Sequence, residues 1–164
     1  MNPNETRTDM AAGLSQWLDT LCGFYIKDLQ ATPDELIYAS PGGKARSPHH
    51  FTVEAMCTCQ WTTEILGGKN ESSLMGEEAW GRLCDATTTK AELIANLEST
   101  CAAFKEALLA APAERFGVMI MAPFGMEMPV AALANIFVNH LWYHDGQLCQ
   151  IQAMNGDTDV HWMA

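Results

Sequence analysis

Apolar side chains recur every three or four residues through four long stretches of this chain, and that period commits it to amphipathic helices that must bury one face each. The first stretch runs from about Thr8 to Leu29, with Leu14, Leu18, Leu21, Tyr25 and Leu29 on its stripe. The second begins at Pro48, a ready-made first helical position behind the capping hydroxyl of Ser47. It carries Phe51, Ala55, Trp61 and Ile65 inward and stops at Gly67-Gly68. A third opens on the capping box Thr89-Lys90-Ala91-Glu92, continues through Leu93, Leu97, Cys101, Phe104 and Leu108, and ends at Ala111-Pro112. The fourth runs from about Pro129 to Met154 and closes on Asn155-Gly156, which suits a left-handed cap. These stretches predict an all-α fold, a four-helix bundle, in a single domain over 1–164.

The connections differ in character. Ala31 to Arg46, with Pro33, Pro41, Gly42 and Gly43, reads as a long crossing with at most a turn or two of structure. A short helix is expected around Glu77 to Leu83, covering one end of the bundle. Met119 to Met128, broken by Pro123 and Gly125, reads as a brief extended segment or a lid over a pocket.

Nine basic residues against 20 acidic ones give a formal charge of −11, which repels phosphate backbones and anionic membrane surfaces. No nucleic-acid or membrane partner is expected. Met1 to Arg7 has no basic stretch leading into an apolar core, and no apolar run approaches a membrane span, so a cytoplasmic location is expected. The cysteines Cys22, Cys57, Cys59, Cys84, Cys101 and Cys149 lack zinc-knuckle or Cys-x-x-Cys spacing and read as reduced thiols, mostly core filler. Pro41-Gly42-Gly43-Lys44 lacks the spacing of a phosphate-binding loop, and no serine or cysteine stands in a nucleophile elbow.

Chemistry is therefore sought at the fourth helix. There, Leu133, Phe137, His140, His144, Leu148 and Ile151 share one stripe, which turns two imidazoles one turn apart toward the core. Each buried ring nitrogen needs a partner, and a shared divalent cation satisfies both rings at once. A catalytic metal usually takes three protein ligands, so a third should come from another helix. The second helix offers His49, His50 and Glu54. Glu54 lies on the apolar side, one turn after Phe51, where an unpaired carboxylate has to meet a cation or be protonated. His50 sits one turn earlier, in the first and frayed turn, as the alternative third ligand, and His49 is expected to be solvated. Gln147, one turn past His144, is the best candidate to steer that ring from behind. Tyr143 and Asp145 flank the pair on other faces, and Trp142, off the ligand face, is a candidate for a dimer contact.

These residues carry a resemblance. Ala45-Arg46-Ser47-Pro48 before the second helix, Pro123-Phe124-Gly125-Met126 before the fourth, His140 to Leu148 within it, and Gly156-Asp157 with His161-Trp162 after it are similar to the DinB-like family, in a subgroup with a His-x-x-x-His-Asp-Gly-Gln-Leu helix. The resemblance implies a bundle with an up-down-down-up order of helices, often dimeric, holding nickel or zinc through three histidines. Two of these map onto His140 and His144. The position of the family's first histidine is Glu54 here, a departure that moves preference toward harder ions, so that iron and manganese join nickel and zinc, or leaves the site degenerate. Members with assigned chemistry use low-molecular-weight thiols, bacillithiol or mycothiol. By analogy this chain is expected to be a metal-dependent transferase or hydrolase acting on a small molecule. The competing expectation is a non-catalytic bundle that binds a small ligand or partner around a degenerate site. No catalytic residue is assigned from sequence.

Overall fold

The computed structural model describes residues 3–163, with side chains from residue 10 onward, so the segment on which the export-signal expectation rests lies outside the described side chains. Its elements are α1 (Pro3–Ala31), α2 (Asp34–Tyr38), α3 (Pro48–Leu66), α4 (Glu77–Asp85), α5 (Lys90–Ala110), β1 (Met119–Met121), β2 (Glu127–Pro129) and α6 (Val130–Met154), with 3-10 turns at Ala113–Gly117 and His161–Met163. The four long helices fall where the apolar period placed them, although α1 begins before Thr8.

Local chemistry accounts for their ends. Ser47 caps α3 by accepting a hydrogen bond from the His50 backbone N–H at 3.2 Å, with Pro48 in the first turn. Gly68 takes a positive φ of 106° just after it. Arg115, from the 3-10 turn at Ala113–Gly117, donates from Nε to the Ile65 carbonyl at 2.6 Å, which places a cation on the exposed carbonyls at the end of α3. The capping box of Thr89 and Glu92 is closed in both directions at the start of α5. At the end of α6, Gly156 has a φ of 92°. Replacing Ser47 by alanine is expected to lower stability by about 1 kcal/mol in urea unfolding. An unchanged midpoint would show that Pro48 alone starts α3.

The core joins all four long helices. Leu18, Leu21, Tyr25 and Leu29 of α1, Phe51, Ala55 and Ile65 of α3, Leu93, Leu97, Phe104 and Leu108 of α5, and Leu133, Val138, Leu141 and Leu148 of α6 are buried together. Helix α1 packs on α5 and α6, and α3 packs on the same two, so α1 and α3 sit diagonally across the core, as do α5 and α6, whereas α3 and α5 are neighbours. The connections from α1 to α3 and from α5 to α6 are therefore long, since a tight loop joins only neighbours. The first connection holds α2, whose Ile37 is fully buried and which packs on α3. The second holds an antiparallel hairpin, Met119 opposite Pro129 and Met121 opposite Glu127, turned at Gly125 with φ 82°. Helix α4 packs on α3, as the expected short cover does.

Trp142 packs within the chain, its ring 6.3 Å from Trp17, 6.1 Å from Phe24 and 6.1 Å from Trp162, while Phe24 and Trp162 stack at 4.6 Å. Trp142 thus ties α1 to α6 and the carboxyl-terminal turn while one face of it stays exposed. All six cysteines are free thiols, and Cys22, Cys57, Cys59 and Cys101 are buried core residues. Among the described residues, no helix is long and apolar enough to cross a membrane.

Candidate metal centre

His140 and His144 stand one turn apart on α6 with ring centroids 4.3 Å apart and planes tilted by 57°. His144 is wholly buried and stacks flat on Phe51 of α3, at 5.3 Å and 4°. Its Nδ1 lies 2.8 Å from Gln147 Oε1. A carboxamide oxygen only accepts, so Nδ1 carries the proton and the lone pair is left on Nε2. That Nε2 is buried without a hydrogen-bond partner and faces Glu54 Oε2 at 3.6 Å.

His140 is set the same way by α3. Its Nδ1 is 3.2 Å from Thr58 Oγ1, and the Thr58 hydroxyl spends its own proton on the Ala55 carbonyl at 2.8 Å. Thr58 therefore accepts from His140, and the imidazole's other nitrogen keeps its lone pair. Glu54, His140 and His144 together present one ligand atom each within 4.8 Å of one another. Burial pushes the His144 imidazolium down to about 4, with the neighbouring His140 adding to the effect, and burial likewise lowers His140. Both rings are thus neutral at physiological pH, the form that binds metal.

Glu54 is only part-buried, and the oxygen that faces His144 is held by the guanidinium of Arg46, from the segment just before α3. Its carboxylate has met a cation, as its position on the helix requires. The fit of this site to a metal rests on the orphaned His144 Nε2, on two rings fixed in the ligating tautomer, and on a carboxylate in reach. Two nitrogens and one oxygen suit zinc, nickel, iron or manganese.

The other residues considered fall elsewhere. His50 is exposed and packs on Trp80 at 4.7 Å, and it does not join the three. His49, expected in solvent, is half-buried, its Nε2 2.9 Å from Thr87 Oγ1 and its ring 4.9 Å from Tyr38. The cause is α4, whose end presents Thr87 to α3, a contact no local pattern announces. Tyr143 is exposed and lies over both histidines, 6.1 Å from His140 and 5.0 Å from His144.

Asp145 turns to the opposite side and is buried against α1. With Asp28 and Cys149 it forms a second cluster of possible ligand atoms, again within 4.8 Å. Burial and the neighbouring Asp28 carboxylate push Asp145 up to about 8, so the carboxyl holds its proton well above the usual aspartate range. Asp28 escaped notice in the sequence. Its signal was there, since it follows Leu21 and Tyr25 on the apolar stripe of α1 at spacings of four and three.

A pocket of about 610 Å³ opens beside the three residues and shares Arg46, Phe51, Tyr143 and Gln147 with their surroundings. Residues of the hairpin do not line it, so the segment Met119 to Met128 is a hairpin with exposed methionines and no lid over this pocket.

The protein is thus a mostly helical bundle in which two facing helices bring two histidines and a carboxylate together. The sequence profile of the DinB superfamily matches residues 3–148, and the chain belongs to that family. No curated protein matches it. Among solved structures it resembles two of a mycothiol-dependent maleylpyruvate isomerase, one of them a histidine-to-alanine mutant. They have TM-scores of 0.65 and 0.66 and sequence identities of 14% and 13%. Each superposition covers 90% of this chain but 61% of the isomerase, so the chain spans about three fifths of that protein's length. At that identity the likeness is one of fold.

Proposed function

We propose that this chain is a metal-dependent enzyme that activates a low-molecular-weight thiol, or water, against a small-molecule substrate, with Glu54, His140 and His144 as the protein ligands. The observation that carries this reading is the commitment of both Nδ1 protons, to Gln147 and to Thr58, which leaves the Nε2 lone pair of each ring free beside one carboxylate, that of His144 wholly buried. A transition metal held there, zinc and nickel foremost, would supply the Lewis acidity that makes a thiol or water nucleophilic at neutral pH. Gln147 and Thr58 hold the rings in register, and Phe51 keeps water from the inner face of His144. Tyr143, exposed above both rings, lines the approach from the pocket. The thiol assignment is supported by the fold shared with a mycothiol-dependent isomerase. A homodimer is part of the same proposal.

A second reading has one observation of its own. Arg46 already neutralises Glu54, so the site is electrically satisfied without a metal, as a ligand-binding domain with a relic site requires. Elemental analysis of protein purified without chelator or nickel resin separates the two. About one transition metal per chain, lost on Glu54→Ala, is expected. Protein that stays metal-free after incubation with zinc, nickel, iron and manganese refutes the enzyme reading, and full occupancy in Glu54→Ala removes Glu54 from the site.

A further inference from the structure

We infer that Arg46 is an exchangeable counterion: it holds Glu54 while no metal is bound and, once Glu54 turns to a metal, is released to bind a carboxylate group of the substrate in the adjoining pocket. This rests on the proposed metal site. Three observations lead to it.

The first is that one oxygen has two claims on it. Arg46 Nη1 pairs with Glu54 Oε2, and that same oxygen is the one facing the orphaned His144 Nε2 at 3.6 Å. A dication between Glu54 and the histidines and a guanidinium on the shared oxygen would be close cations in a half-buried site, where their repulsion is poorly screened. The guanidinium is the mobile party, because it reaches the site from a connecting segment on a long side chain that remains about one third exposed.

The second is that Arg46 has somewhere to go. It lines the pocket of about 610 Å³, and so does Lys44. The third is charge. The protein carries a formal charge of −11, yet among the described residues no aspartate or glutamate lines this pocket, whose two charged residues there are both cations. Among the described residues Lys44 makes no ion pair. Gln147 and Gln150 add neutral polar groups to the wall. A cationic pocket on a strongly acidic protein selects an anion, and the guanidinium that now pairs through Nη1 with the Glu54 carboxylate offers a planar fork shaped for another carboxylate.

Calorimetry with zinc alone, succinate alone and both tests this on wild type, Arg46→Met, Glu54→Gln and Lys44→Met. Without anion, Arg46→Met should bind zinc roughly threefold to tenfold more tightly than wild type, since it no longer has to break an ion pair. Without metal, Glu54→Gln should bind succinate more tightly than wild type, because its arginine is already free. In wild type, Arg46→Met should weaken succinate only when zinc is present, and Lys44→Met should weaken it in both states. Zinc binding that is unchanged or weaker in Arg46→Met would make Arg46 a support for Glu54 and overturn the exchange. Inorganic phosphate binding where succinate does not would overturn the carboxylate assignment. Absence of zinc binding from wild type and all three variants refutes the metal site itself, whereas zinc bound without any influence of Arg46 refutes only this inference. Circular dichroism of each variant confirms that it is folded.

Discussion

Zinc should bind the His144→Ala protein at least about 100-fold more weakly than wild type, beyond the tenfold to 100-fold loss typical of removing a group that only orients a ligand. His144 contributes a ring lone pair that is buried and, among the described residues, unpartnered, so no water can replace it without entering the core. His140→Ala should behave alike. Gln147→Leu, which keeps the imidazole but frees its tautomer, should fall between, with about a tenfold loss. A second readout separates lost ligation from lost folding. Bound zinc raises the melting temperature in proportion to the logarithm of its concentration over Kd, and that rise should vanish in both alanine variants while their metal-free unfolding stays cooperative. If zinc binds His144→Ala as tightly as wild type, the proposed centre is wrong.

Asp145→Asn should stabilise the metal-free protein by several kcal/mol at pH 8 and leave it nearly unchanged at pH 4. The sign follows from where the proton sits. In the unfolded chain an aspartate ionises near 3.9. In the folded protein burial, with Asp28 facing Asp145 from α1 and Cys149 beside it on α6, holds the proton up to about 8. Between those values the native state binds the extra proton, so its stability falls as pH rises, by up to about 1.4 kcal/mol per pH unit, and levels off above the folded pKa. Below pH 4 both states are protonated and the contribution is fully present. Asparagine keeps a donor toward Asp28 and has no proton to lose, so the difference between variant and wild type should open with pH. Urea unfolding at pH 4.5, 6, 7 and 8.5 measures it. Parallel curves would show that Asp145 is ionised in the fold.

Much of the site was visible along the chain because its components are helical. The i and i+4 positions of His140 and His144 lie on one stripe with Leu133, Phe137 and Leu148, and a period of 3.6 turns all of them inward whatever they pack on. Gln147 follows from the same geometry, since one turn separates it from His144. Glu54 follows from the stripe of α3, and its need for a cation follows from its position there. His50 shares that local logic and still lies outside the site, because α4 offers it Trp80 instead. His49 differs from expectation for a similar reason, through Thr87.

The number of long helices, the buried face of each and the capped ends at Ser47 and Thr89 were legible along the chain, because these depend on contacts within a few residues. So was the pairing of the two histidines. Only the packed helices bring Thr58 to His140, Arg46 to the Glu54 oxygen that faces His144, and Asp28 to Asp145, and only they set α1 across the core from α3 and α5 across from α6. Each of these is a meeting of side chains from different elements. Helical period fixes which way a side chain points, but the partner it meets depends on how the helices are arranged around the core, and that arrangement is set by the packing of all four faces at once.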